Sequence, residues 1–177
     1  MSEQPGRYQR SFSGMVGALV ILLLGVGAFI LFRALTRDDL EVEAETVDYL
    51  ETVGFLQDAD RTVLYPPTLP DGWRATSVEA DQPDAWGIGF LTPGGFAGLQ
   101  QSEDSTEDLV ETYVDEEPEE LDAVEIDGTA WQVWRDDAGD LGYAGEVDGL
   151  PVLVFGSAGA PALEDLAASL TSDPLPG

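Results

Sequence analysis

The stretch AVEIDGTAWQVWRDDAGDLGYAGEVDGLPVLVF, residues 123–155, decides the fold. It holds two Asp-Gly pairs, Asp127-Gly128 and Asp148-Gly149, each between runs rich in Val, Ile, Leu and aromatic residues. Asp-Gly suits the central positions of a type I′ turn, where both residues take positive φ and the turn twists in the same sense as the strands it joins. The spacing predicts two β-hairpins with RDDAGDLG (135–142) turning between them, hence four consecutive antiparallel strands at 123–126, 129–135, 142–147 and 150–156. The segment LPVLVF, 150–155, is apolar at every position. A strand with one wet face alternates, so one without alternation is covered on both faces and belongs in the middle of its sheet.

Working outward, GSAGA leads to Pro161, well suited to a first helical turn, and Leu163, Leu166, Ala167 and Leu170 form the apolar stripe of a helix that covers one sheet face. Upstream, WGIGFLT (86–92) and GFAGLQQS (95–102) read as a hairpin joined through Pro93, Gly94 and Gly95. Ser105 with Asp108 at capping-box spacing starts a helix whose buried stripe is Leu109, Val110, Tyr113 and Val114, and DEEPEELD (115–122) closes it. Tyr49, Leu50, Val53 and Leu56 mark an earlier helix, broken by YPPTLPDGW, a proline-rich turn that delivers Trp73 to a first strand. The expected class is α+β: one N-terminal transmembrane helix, then an antiparallel sheet flanked by two or three helices.

The anchor is residues 14–32, GMVGALVILLLGVGAFILF, nineteen consecutive uncharged residues. At about 1.5 Å per residue they span roughly 28 Å, close to a bilayer's hydrocarbon core. No small-x-small cleavage site follows, so the run is expected to stay as an uncleaved span. Residues 1–13 form a short tail, 33–45 a charged spacer, 46–172 an acidic domain and 173–177 a flexible end. Arg7 and Arg10 on one side are balanced by Arg33 and Arg37 on the other. The short tail with its free amine favours N-terminus inside, domain outside, at the plasma membrane. Gly14, Ala18 and Gly25 share a helical stripe on which two anchors can pack, although glycine is common in membrane helices anyway.

Charge divides at the same boundary. Residues 1–37 carry net +3, whereas residues 38–177 carry net −31. A field of that sign repels phosphate and excludes nucleic-acid binding, which depends on Lys and Arg displacing counterions. The chain has no lysine, histidine or cysteine. That removes Schiff-base chemistry, imidazole triads, thiol nucleophiles and thiolate metal sites. Arginine in place of lysine fits both codon bias in a GC-rich genome and adaptation to high salt.

Five segments together resemble one family: RYQRSFSGMVGAL, YPPTLPDGWRATS, WGIGFLTPGGFAGLQQS, DGTAWQVW and LPVLVFGSA. They are similar to the actinobacterial membrane-anchored proteins grouped as a domain of unknown function. The resemblance implies an Arg-rich tail, one span and an extracytoplasmic α+β domain. It carries no agreed activity, so no catalytic residue comes with it.

Candidate chemistry is sparse. The run Asp115, Glu116, Glu117, Glu119, Glu120, Asp122 holds Pro118 and no turning glycine, and DDAGDLG (136–142) fails calcium-loop spacing, so both read as solvated turns. GIGFLT imitates a dinucleotide fingerprint but lacks its third glycine and a parallel βαβ setting. GSAGAP enters a helix N-terminus, yet the domain's field opposes an anion there. No cofactor is expected. Four tryptophans, Trp73, Trp86, Trp131 and Trp134, are the candidate ligand contacts, as platforms for a sugar or a partner protein, weighed against plain core packing. Trp131 and Trp134 lie an odd number of residues apart on one strand and should face opposite ways.

The expected function is non-catalytic: an envelope binding or scaffold domain held to the lipid bilayer through residues 14–32, its partner an envelope protein or glycan. A membrane-tethered hydrolase using a carboxylate pair is one alternative, and a cytoplasm-facing regulatory module is another. Self-repulsion of the acidic domain gives a direct test. Its thermal midpoint should rise by several degrees between about 0.01 M and about 1 M NaCl, as the Debye length falls from about 30 Å to about 3 Å. A flat or falling midpoint by circular dichroism would show that repulsion does not limit this fold.

Overall fold

A computed structural model describes residues 46–80, 85–102 and 105–176. The tail, the apolar run 14–32 and the spacer 33–45 lie outside them. No helix among the described residues is long and apolar enough to cross a membrane.

In chain order the elements are α1 (Tyr49–Asp58), β1 (Arg74–Glu79), β2 (Ala85–Thr92), β3 (Gly95–Ser102), α2 (Thr106–Tyr113), β4 (Glu119–Ile126), β5 (Thr129–Arg135), β6 (Leu141–Val147), β7 (Leu150–Gly156) and α3 (Ala160–Ser169). The strands form one seven-stranded antiparallel sheet in the order β1-β2-β3-β7-β6-β5-β4. The class is therefore α+β. Both Asp-Gly hairpins form as their chemistry requires, with φ of 48° and 80° at Asp127-Gly128 and of 53° and 79° at Asp148-Gly149. The fully apolar strand β7 is fourth of seven, between β3 and β6.

Its two faces lead into separate cores. Val152 and Val154 join a large cluster with Trp86, Ile88, Phe90, Leu99, Trp131 and Tyr143, covered by side chains of α1 and α3. Leu153 points the other way and packs with Ala144 beneath Leu109 and Val110 of α2. The Ser105 hydroxyl caps α2, accepting from Asp108 N at 3.2 Å and donating to Asp108 Oδ2 at 2.7 Å.

Two expectations change. DEEPEELD does not simply close α2, because Glu119–Asp122 already belong to β4. Pairing with β5 puts Leu121 opposite Val133 before a register shift, and the acids tolerate strand geometry because β4 is an edge exposed to water. The C-terminal residues expected to be free are tied down: Gln57 Nε2 donates to Asp173 O at 3.0 Å, Gln57 Oε1 accepts from Leu175 N at 2.9 Å, and the Tyr65 hydroxyl donates to Asp173 O at 2.8 Å.

Two buried tyrosines bind the layers. Tyr49 on α1 donates to Pro66 O at 2.7 Å, and Tyr143 on β6 donates to Glu164 Oε1 of α3 at 3.2 Å. Burial, followed by the charges of Asp48 and Tyr65, pushes the Tyr49 phenol up to about 12. Burial, the Glu164 charge and their hydrogen bond do the same to Tyr143, also to about 12. A raised folded-state value means that the fold favours the neutral phenol, so this contribution is complete below about pH 10 and is lost between about 10 and 12. Urea unfolding at rising pH should show stability falling across that window. A Tyr49→Phe/Tyr143→Phe variant should flatten the fall, and an unchanged slope would put the sensitivity elsewhere. Leu153 is fully buried, and Leu153→Ala should lower the unfolding free energy by about 3 kcal/mol; a loss below about 1 kcal/mol would mean that the second core contributes little.

Candidate functional site

The four tryptophans separate into core and surface. Trp86 is 1 % exposed on β2, and its Nε1 donates to Leu64 O at 2.8 Å, sealing the loop after α1 onto the sheet. Trp131 is equally buried on β5, and its Nε1 has no partner among the described residues. Trp134, three residues on, packs half-buried against the smaller core on the opposite face, as strand alternation requires. Trp73 is half-buried just before β1, its ring 5.9 Å from that of Phe90 and tilted by 53°. Of the four, Trp73 borders the larger of two cavities, and they do not converge on one platform.

That cavity, of about 210 Å³, opens between the proline-rich loop and α3. Its apolar wall is Pro66, Leu69, Pro70, Trp73 and Leu166, and its polar groups are Thr68, Asp165 and Ser169. Local chemistry makes the wall stiff. Trp73 N donates to Pro70 O at 3.1 Å, closing a turn in which Gly72 takes φ of 83°. Tyr65 and Thr171 exchange both backbone hydrogen bonds at 3.1 Å, pinning the start of the loop to the end of α3. Pro66 is held from beneath by the Tyr49 hydroxyl. Ser169 donates to Leu166 O within its own helix, which leaves the Thr68 hydroxyl and the Asp165 carboxylate exposed at the rim.

A smaller cavity, of about 40 Å³, lies on the other sheet face over β1, β2 and β3. Gly87 and Gly89 of β2 supply a floor without side chains, bordered by Ser77, Glu79, Gln100, Tyr113, Phe96 and Phe155. The Phe155 ring lies over Gly98, where an added Cβ would meet it at 2.6 Å. Phe96 and Tyr113 flank that ring at centroid distances of 5.9 and 5.3 Å. Burial, then the nearby Glu79 charge, raises the Tyr113 phenol above its ordinary value.

Each cavity carries one carboxylate from the described residues, Asp165 in the first and Glu79 in the second. Glycosidase chemistry needs two convergent carboxyl groups, and neither cavity brings a pair together. No group of three acids among the described residues is placed to hold a metal ion. In DDAGDLG the Asp136 carboxylate is used structurally, accepting from Asp140 N at 2.8 Å. Thr68, Asp165, Glu79 and Gln100 were not singled out by the sequence. The one signal was the glycine alternation of WGIGF, here the floor of a sheet face and not a nucleotide turn.

No curated protein and no solved structure matches the chain. A family model described as "Protein of unknown function (DUF4245)" matches residues 7–170, a span that takes in the apolar run and every strand and helix above, and the chain belongs to that family.

Proposed function

We propose that the chain is a single-pass plasma-membrane protein with its N-terminus inside, whose acidic domain stands outside the membrane and binds an envelope glycan without catalysis through the Trp73 cleft. The cleft carries the reading: a stiff apolar wall holding one half-exposed indole, with Thr68 and Asp165 at its rim. Aromatic rings stack on the C–H faces of sugars while a carboxylate and a hydroxyl take the sugar's hydrogen bonds. The anchor rests on the nineteen uncharged residues 14–32, which fall inside the family match. The hydrolase alternative lacks a second acid in the lining of the cleft among the described residues, since Glu164 turns to Tyr143.

The test uses the full chain in nanodiscs, titrated calorimetrically with soluble peptidoglycan fragments. Saturable binding should weaken at least about tenfold in Trp73→Ala and survive in Trp134→Phe. Absence of binding, or equal binding by Trp73→Ala, would remove the cleft from the function. Release of reducing ends that stops in Asp165→Asn would establish the hydrolase instead. Cysteines introduced at Ser2 and Ala138 test the address, because the chain has none of its own. In intact cells a membrane-impermeant maleimide should label the cysteine at 138 alone. Labelling at 2 alone would turn the domain to the cytoplasm and favour the regulatory module.

A further inference from the structure

The small cavity on the second sheet face holds a polar group that the fold does not use. Gln100 stands directly opposite Gly87 in the β2–β3 register. Because Gly87 has no Cβ, the Gln100 carboxamide lies across it, in a place where a Cβ on Gly87 would collide with Oε1. Gln100 is only 4 % exposed, and its carboxamide makes no hydrogen bond with any described residue, but it is not sealed off: its polar end opens into the cavity that it borders. An amide placed this way takes its hydrogen bonds from whatever fills the cavity, water or the polar group of a ligand. The amide borders the cavity, which points to a partner that arrives from outside.

The surroundings specify which partner. Ser77 Oγ lies over Gly89 as Gln100 lies over Gly87, and the Glu79 carboxylate stands exposed at the rim. The Phe96, Phe155 and Tyr113 rings make one wall. Carbonyl, hydroxyl and carboxylate oxygens supply three acceptors, the complement of the three N–H donors of an ammonium group. Aromatic faces attract the same charge, and the net −31 of residues 38–177 draws cations toward the whole domain. An anion would meet Glu79, and a neutral hydroxyl would leave that carboxylate's charge unanswered. A guanidinium is a broad planar fork, whereas an ammonium is compact. One water needs only about 10–15 Å³ of such a cavity, so about 40 Å³ has room for a compact ammonium group.

We infer that this glycine-floored cavity is a binding site for a primary ammonium group, with Gln100, Glu79 and Ser77 as its acceptors. The ammonium comes either from a free polyamine or from a lysine side chain of another polypeptide. Calorimetry on the full chain in zwitterionic nanodiscs at about 0.15 M salt tests it with two probes, 1,5-diaminopentane and Nα-acetyl-lysine N-methylamide. At least one probe should bind saturably. Gln100→Leu and Glu79→Gln should each weaken that binding by about tenfold or more, while Glu119→Gln/Glu125→Gln on the distant β4 edge leaves it within about twofold. Binding of the diamine alone identifies a free polyamine, and binding of the lysine derivative identifies a basic side chain. Absence of saturable binding, or equal losses from the β4-edge variant, overturns the assignment.

Discussion

A strand with apolar side chains on both faces cannot stand at a sheet's edge or against water, and the rest of this domain is arranged around that constraint. Val152 and Val154 need cover on one side and Leu153 on the other. The chain answers with two antiparallel meanders, β1 to β3 and β4 to β7, that meet where β3 pairs with β7. A helix packs on each face. The seam holds because Gly98 sits opposite Phe155 and leaves room for the ring. A side chain on Gly98 would collide with the Phe155 ring and force it to move.

The two faces are covered unequally, and the two cavities follow from that. On the first face α1, α3 and the loop after α1 cover a large core, and the loop's prolines meet α3 at the Trp73 cleft. On the second face α2 covers the central strands β6 and β7. The β1–β2–β3 half instead carries glycines, one buried amide and a row of rings, with Leu91 and Phe96 paired and exposed at its end.

The acids gather where packing makes no demand. Glu119, Glu120, Asp122 and Glu125 stand exposed along β4, whose outer edge has no neighbouring strand among the described residues. Charge along an open edge opposes pairing with another chain's strand. The ion pair of Arg135 with Glu119, at 3.0 Å and largely exposed, contributes little to stability.

Short-range chemistry was legible in the residues themselves. The Asp-Gly turns, the cap at Ser105, the proline at the start of α3, the opposite facing of Trp131 and Trp134 and the central place of LPVLVF all rest on local backbone preference or on the alternation of one strand. The start of β4 was hidden, since DEEPEEL has the composition of a solvated loop and becomes a strand only through pairing with β5. The same holds for the docked C-terminal residues, which depend on Gln57 more than a hundred positions earlier. Neither cavity could be read from spacing, because Trp73 meets Asp165, and Gln100 meets Glu79 and Phe155, only through contacts between distant segments. The sequence by itself determined the elements, their hairpins, the apolar run and the sign of the field, for these are properties of neighbouring residues and of sums. Tertiary structure alone decided which tryptophan faces a cleft and which amide opens into a cavity, because burial is settled by what packs against a residue from elsewhere in the chain.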